Sequence, residues 1–157
     1  MVKKNNCLNA KEIGLAIKWA QENDQELLSA MFLSLIGLRF SEIVCLRWDQ
    51  IDIRKKIIHI QGKYKYNQFP IPGSMINYLL KYRKGSEFVV PTSPYVLRRK
   101  ETRLANATGL SQLNLRSLYI TVRMLNYQAI VSNSLIPIEP TEKLCTIYYL
   151  RPYYKYD

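Results

Sequence analysis

"LIGLRFSEIVCLRWDQIDI", residues 35–53, is the stretch on which the fold turns. Its apolar residues Leu35, Leu38, Ile43, Leu46 and Ile51 mostly recur at helical spacing. Gly37 ends or bends a helix arriving from upstream, and a further helix is expected over 40–48. Arg39 sits inside this apolar run, with Glu42 three positions on. Charged side chains are seldom buried unless something pairs with them. The pair is therefore either an interior i, i+3 ion pair or an arginine held, partly buried, for a ligand.

Upstream, residues 10–22 carry Ile13, Ala16, Ile17 and Ala20 at helical spacing, with Asn9 as N-cap and Glu12 in capping-box position. Residues 25–36 form a second, more apolar helix. Downstream the period changes. Ile57, Ile58 and Ile60 are β-branched, and strands are expected at 51–53, 57–61 and 67–71, closed by Pro70 and Pro72. Helical spacing returns through Met75, Tyr78, Leu79 and Tyr82. A loop from 85 then leads into a basic helix containing "YVLRRKETR", 95–103. Residues 113–131 read as a helix with Leu115, Leu118, Tyr119, Val122 and Leu125 on one side. A Pro-broken segment follows, with a short helical candidate at 141–150 and a tyrosine-rich tail, 151–157. The expected fold class is mostly α with a small antiparallel β-sheet, in a single domain over 1–157.

Charge narrows the partner. Lys plus Arg is 23 against 12 for Asp plus Glu, a formal net charge of +11. This balance favours a polyanion, nucleic acid before an anionic membrane surface. "KYRK", 81–84, and "YVLRRKETR" interleave cations with aromatics, which makes Lys65, Lys81, Arg83, Lys84, Arg98, Arg99, Lys100 and Arg103 candidates for DNA backbone contacts. Each run alone is equally compatible with a solvated helix face. The apolar stretches are too interrupted for a membrane span. No apolar segment follows the N-terminal lysines, so no secretory signal is read. Three scattered cysteines, Cys7, Cys45 and Cys145, form neither a disulfide framework nor a zinc knuckle. An intracellular, reduced protein of the cytoplasm or nucleoid is expected, without a cofactor.

Several of these segments, in this order, resemble the catalytic domain of tyrosine recombinases, the phage integrase family, from about residue 8 to residue 150. The family typically reads T-G-L-R-x-S-E-L-x-x-L-x-W-x-D-I where this chain has "GLRFSEIVCLRWDQID". "IHIQGKYKYNQFPIP" is similar to its strand, G-K turn and strand. "FVVPTSP" resembles its F-P-S segment, and "LNLRSLYI" its H-D-L-R-H-x-F-A. The resemblance implies DNA strand cleavage and rejoining through a 3′-phosphotyrosine, without a metal. It implies phosphate contacts from Arg39 and Arg116, site support from Glu42, a general acid at Lys63 with Lys65 as the alternative, and a nucleophile at Tyr148 with Tyr149 beside it. Two arginines suit this chemistry because each offers paired N–H groups to the non-bridging oxygens. A phenol with an ordinary pKa near 10 needs such help to attack at neutral pH.

Two positions depart from the pattern. Leu113 stands where the family has a histidine, and leucine cannot hydrogen-bond a phosphate oxygen. Glu139 stands where a histidine or tryptophan is usual. His59, the one histidine, falls in the "IIHIQ" strand and reads as a strand residue. Three hypotheses follow: a strand-cleaving recombinase, a recombinase-derived DNA-binding accessory or regulatory protein, and an RNA-binding or membrane-surface basic module. The third predicts no convergence of Arg39, Lys63 and Arg116. Full-length family members usually carry an N-terminal DNA-binding domain, and none is expected here. The implied partners are double-stranded DNA and, on it, a second copy or a partner recombinase. The tail suits such a contact or a frayed end equally.

Overall fold

The computed structural model describes residues 8–61 and 66–122. The expected fold class is the observed one: helices with a small three-stranded antiparallel sheet. Helix α1 (Ala10–Asn23) starts at Asn9, whose side chain accepts from the Glu12 amide while the Glu12 carboxylate accepts from the Asn9 amide. This reciprocal cap is the one its sequence signature predicts. Asp24 ends α1 and caps α2 (Gln25–Leu35) by accepting from the Leu27 amide at 3.1 Å. From Leu27 to Leu35 every residue of α2 is buried, which makes it the central helix.

Gly37 ends α2 with a Schellman turn. The Leu38 amide bonds to the Leu33 carbonyl at 3.1 Å and the Gly37 amide to the Ser34 carbonyl at 3.0 Å. Gly37 has φ 104°, a region that side chains avoid. Leu38, just beyond, is fully buried. Helix α3 (Phe40–Cys45) begins with Arg39 as its N-cap residue. It is shorter than the expected 40–48. The Leu46 carbonyl accepts from the Val89 amide, Arg47 bridges to Phe88, and the Trp48 amide bonds to the Glu87 carbonyl. The 87–89 segment thus takes the backbone groups a longer helix would use, and a single 3-10 turn follows at Trp48–Gln50.

Strands β1 (Ile51–Asp52), β2 (Ile57–Gln61) and β3 (Tyr66–Pro70) lie in that order, with Ile58 paired to Ile51 and to Phe69. Ile58, Ile60 and Phe69 are buried. Helix α4 (Gly73–Lys81) buries Met75, Ile76 and Leu79. Its Tyr78 hydroxyl donates to Gln25 and its ring meets Phe32 edge-on at 5.2 Å. Helix α5 (Pro94–Thr108) is capped by Ser93, has Pro94 in its first turn, and stops at Gly109 with φ 72°. Residues 115–122 are helical and are labelled α6. One apolar core joins α1, α2, the sheet, α4, α5 and α6. The remainder of the helix expected to 131, the candidate at 141–150 and the tail lie outside the described residues. No described helix is long and apolar enough to cross a membrane.

Candidate functional site

A cleft of about 1070 Å³ opens between the start of α3, one face of α5 and the start of α6. Arg39 and Arg116, far apart in sequence, both line it, as do Arg98, Tyr119 and Leu113. The two arginines are thus brought to one cleft. Lys63, the third member of the expected set, lies outside the described residues.

Arg39 reaches the cleft because the chain breaks before it. The Schellman turn lifts it off the end of α2, and it is exposed rather than partly buried as expected. The interior ion-pair alternative fails for the same reason. Glu42 accepts from the Arg39 backbone amide at 2.8 Å, closing the first turn of α3 and fixing the backbone from which the guanidinium extends. The Arg39 Nε donates to the Tyr119 hydroxyl at 3.5 Å. Arg116 is exposed and occupies the second position of α6. Asn114 caps that helix by accepting from the Ser117 amide at 2.8 Å, and Ser117 Oγ donates to the Asn114 carbonyl at 2.8 Å. Ser117, standing where a histidine is frequent, is thereby buried as part of the cap.

Behind the first turn of α6 lies Glu101. Its carboxylate accepts from the Leu115 amide at 2.8 Å. Burial pushes its pKa above the usual carboxylate value, partly offset by that hydrogen bond and by the Arg98 charge. Leu113, 1% exposed, is packed at the edge of the cleft where the family pattern has an imidazole.

Sequence reasoning missed Glu101 and misplaced Tyr119. Glu101 looked like one more charge in "RRKETR", yet Leu97, Glu101 and Leu104 share the buried face of α5 at i, i+4, i+7 spacing, a signal that could have exposed it. Tyr119 was expected on the apolar side of its helix and instead borders the cleft, half-buried.

The basic residues divide. Arg98 lies over the Phe40 ring at 4.3 Å and faces the cleft, so the residue after Arg39 holds a third guanidinium near the first. Arg99 lies over Tyr95 at 5.9 Å and Arg103 over Trp19 at 5.8 Å, on another face of α5. Lys100 turns inward, 2.6 Å from Asp24, with both side chains largely covered. Lys84 pairs with Glu26, Arg83 lies over Trp48 at 4.6 Å and Lys81 near Tyr82. None of these last four lines the cleft. His59 is a half-buried strand residue of β2 opposite Gln68, and it does not line the cleft either. Lys65, Glu139, Tyr148 and Tyr149 lie outside the described residues. Among the described residues, no group of three or more His, Cys, Asp and Glu could hold a metal ion.

The chain is similar to the crystal structure of XerA recombinase, with a TM-score of 0.65 and 13% sequence identity. The match covers 91% of this chain and 57% of that one, so the chain spans little more than half the length of that structure. No protein-family model matches the sequence, and no curated protein matches it. The element order, the sheet and this likeness together give the chain a tyrosine recombinase-like fold.

Proposed function

We propose that the cleft grips a phosphodiester of duplex DNA and that the protein acts in recombinase-type strand cleavage and rejoining. The observation that carries this reading is that Arg39 and Arg116 line one cleft. Arginines on two elements can reach one phosphate from two sides, each with paired N–H donors. Arg98 adds positive charge on the same wall. Glu42 keeps Arg39 in register through its backbone. Lys63 serves as the general acid and Tyr148 as the nucleophile, on the strength of the family resemblance. The net charge of +11 supports DNA as the polyanion.

A second reading keeps the DNA grip and loses the chemistry. It rests on Leu113, a packed side chain at the edge of the cleft that offers no hydrogen-bond donor at the position where the family pattern has a histidine.

The test is a fluorescence anisotropy titration of labelled duplex DNA at several salt concentrations, with Arg39→Ala, Arg116→Ala and the double variant. Each single variant should weaken binding and flatten the salt dependence. The double variant should lose less than the sum of the singles, because both side chains serve one partner. Absence of affinity at low salt, or strict additivity, would refute the shared phosphate.

A further inference from the structure

Among the described residues, Glu101 is the one charged residue that is buried as a whole, at 8% exposure; the covered Asp24 side chain, by contrast, has Lys100 as its ion-pair partner. It lines the floor of the cleft that the arginines border. Its carboxylate accepts from the Leu115 amide at 2.8 Å, and Leu115 immediately precedes Arg116. On the other side, the Leu115 carbonyl accepts from the Ser34 hydroxyl at 2.6 Å. The peptide groups that lead into Arg116 are thus pinned to α5 and to α2. The Asn114 side chain accepts from the Ser117 amide, and the Leu115 amide goes instead to Glu101.

A buried carboxylate on the floor of an anion site is unfavourable on two counts. It loses hydration, and its charge opposes the ligand. What it provides in return is an acceptor at a helix start, where amides have no partner within the helix. We infer that Glu101 is a positioning residue: by holding the Leu115 amide it fixes the start of α6 so that the Arg116 guanidinium stands in the same cleft as Arg39. This rests on the phosphate reading above. The useful property is the acceptor oxygen and not the charge. Glu101→Gln keeps an oxygen able to accept and removes the charge. Glu101→Ala removes both. Glu101→Asp keeps the charge and shortens the reach.

The experiment is the salt-dependent anisotropy titration on duplex DNA with wild type, Arg116→Ala, Glu101→Gln, Glu101→Ala and Glu101→Ala combined with Arg116→Ala. The folded fraction of each is read from circular dichroism at the assay temperature. Arg116→Ala should lower the slope of log affinity against log salt by about 0.9, one phosphate contact. Glu101→Ala should lower the slope comparably and weaken binding roughly tenfold or more, the scale of one charge-assisted hydrogen bond. The combined variant should be no weaker than Arg116→Ala. Glu101→Gln should bind at least as tightly as wild type with the full slope. A smaller folded fraction scales the apparent affinity at every salt concentration and leaves the slope alone, so a purely structural role would not reproduce this pattern.

Glu101→Ala with a wild-type slope, or Glu101→Gln as weak as Glu101→Ala, overturns the inference. Tighter binding by Glu101→Ala also overturns it, because the residue would then act only as a repelling charge. If Glu101→Ala does not fold, Glu101→Asp carries the same expectation of a lowered slope. If Arg116→Ala leaves the slope unchanged, the phosphate reading itself fails. A failure confined to the Glu101 variants refutes the positioning role alone.

Discussion

Gly37→Ala should damage stability and the cleft together. Gly37 holds φ 104°, and a Cβ there meets its own backbone. Forcing a side-chain residue into such a region costs about 1–3 kcal/mol. Relaxing the backbone instead puts at risk the two hydrogen bonds of the turn, Leu38 to Leu33 and Gly37 to Ser34, each contributing about 1 kcal/mol. It would also loosen Leu38, which is fully buried. The two routes give similar totals, so a loss of about 1–3 kcal/mol is expected either way. For a chain of this size that is a fall in melting temperature of roughly 3–10 °C.

Gly37→Asn should lie between Gly and Ala, since asparagine tolerates left-handed conformations better than alanine does. Urea denaturation of the three proteins, with unchanged m-values, measures the order. Because Gly37 also aims the chain at Arg39, the folded Ala variant should bind DNA with a flatter salt dependence. Equal stability of Gly37→Ala and wild type, or Asn falling below Ala, would refute the reasoning from the turn.

Lys100→Ala should destabilise the fold, because the buried Asp24 carboxylate loses its partner, yet it should leave the DNA salt slope nearly unchanged; Arg98→Ala should do the reverse, as paired denaturation and anisotropy curves would show. Glu26 has a lowered pKa: burial pushes it up, but hydrogen bonds from Lys84 and Thr92, together with the charges of Lys84 and Lys100, outweigh that effect. Its contribution is present above the ordinary value of 4.5 and is lost as pH falls through the folded pKa, so the stability gap between wild type and Glu26→Gln should close on acidification. Glu101 has the opposite sign: its raised pKa favours the folded state below 4.5, and that contribution is lost as pH rises through the folded pKa, a dependence that Glu101→Gln should remove in denaturation curves across pH. On a nicked suicide substrate the isolated chain should form little covalent protein–DNA adduct, and Tyr148→Phe should abolish whatever forms. An adduct persisting in that variant would redirect the search to Tyr149 and then to Tyr119, whose hydroxyl borders the cleft.

Local chemistry was the legible part of this sequence. Asn9 with Glu12, the Ile-rich strand at 57–61 and the Gly37 break all declare themselves through caps, β-branching and a lone glycine in an apolar run. The length of α3 was not legible, because it is set by the 87–89 segment, whose pairing with residues 46–48 is a tertiary event. The exposure of Arg39 was hidden for a related reason. Helical spacing counted straight through Gly37 places Arg39 among apolar neighbours, whereas the Schellman turn rotates it out. The shared cleft could be anticipated only through the family resemblance, since no periodicity links residue 39 to residue 116. The basic runs misled most. Lys100 and Glu101 sit in the middle of "RRKETR", yet one is turned to Asp24 and the other is buried against α6.

On the proposed reading, holding a phosphate and breaking it make different demands on the cleft. Holding needs cations with a fixed approach, and Arg39, Arg98 and Arg116 are each supported: by the Glu42 contact to the Arg39 amide, by the Phe40 ring, and by the capped start of α6. Breaking needs, in addition, donors that follow charge onto the phosphate oxygens and a proton for the leaving oxygen. At position 113 the residue is a leucine, packed and 1% exposed, with no side-chain donor to offer. Losing one such donor typically costs about 3–4 kcal/mol in the transition state, a hundred- to a thousandfold in rate. Ground-state attraction between arginines and the phosphate does not depend on it. Affinity and cleavage should therefore respond separately to substitution, with the arginines governing the first and the occupant of position 113 limiting the second.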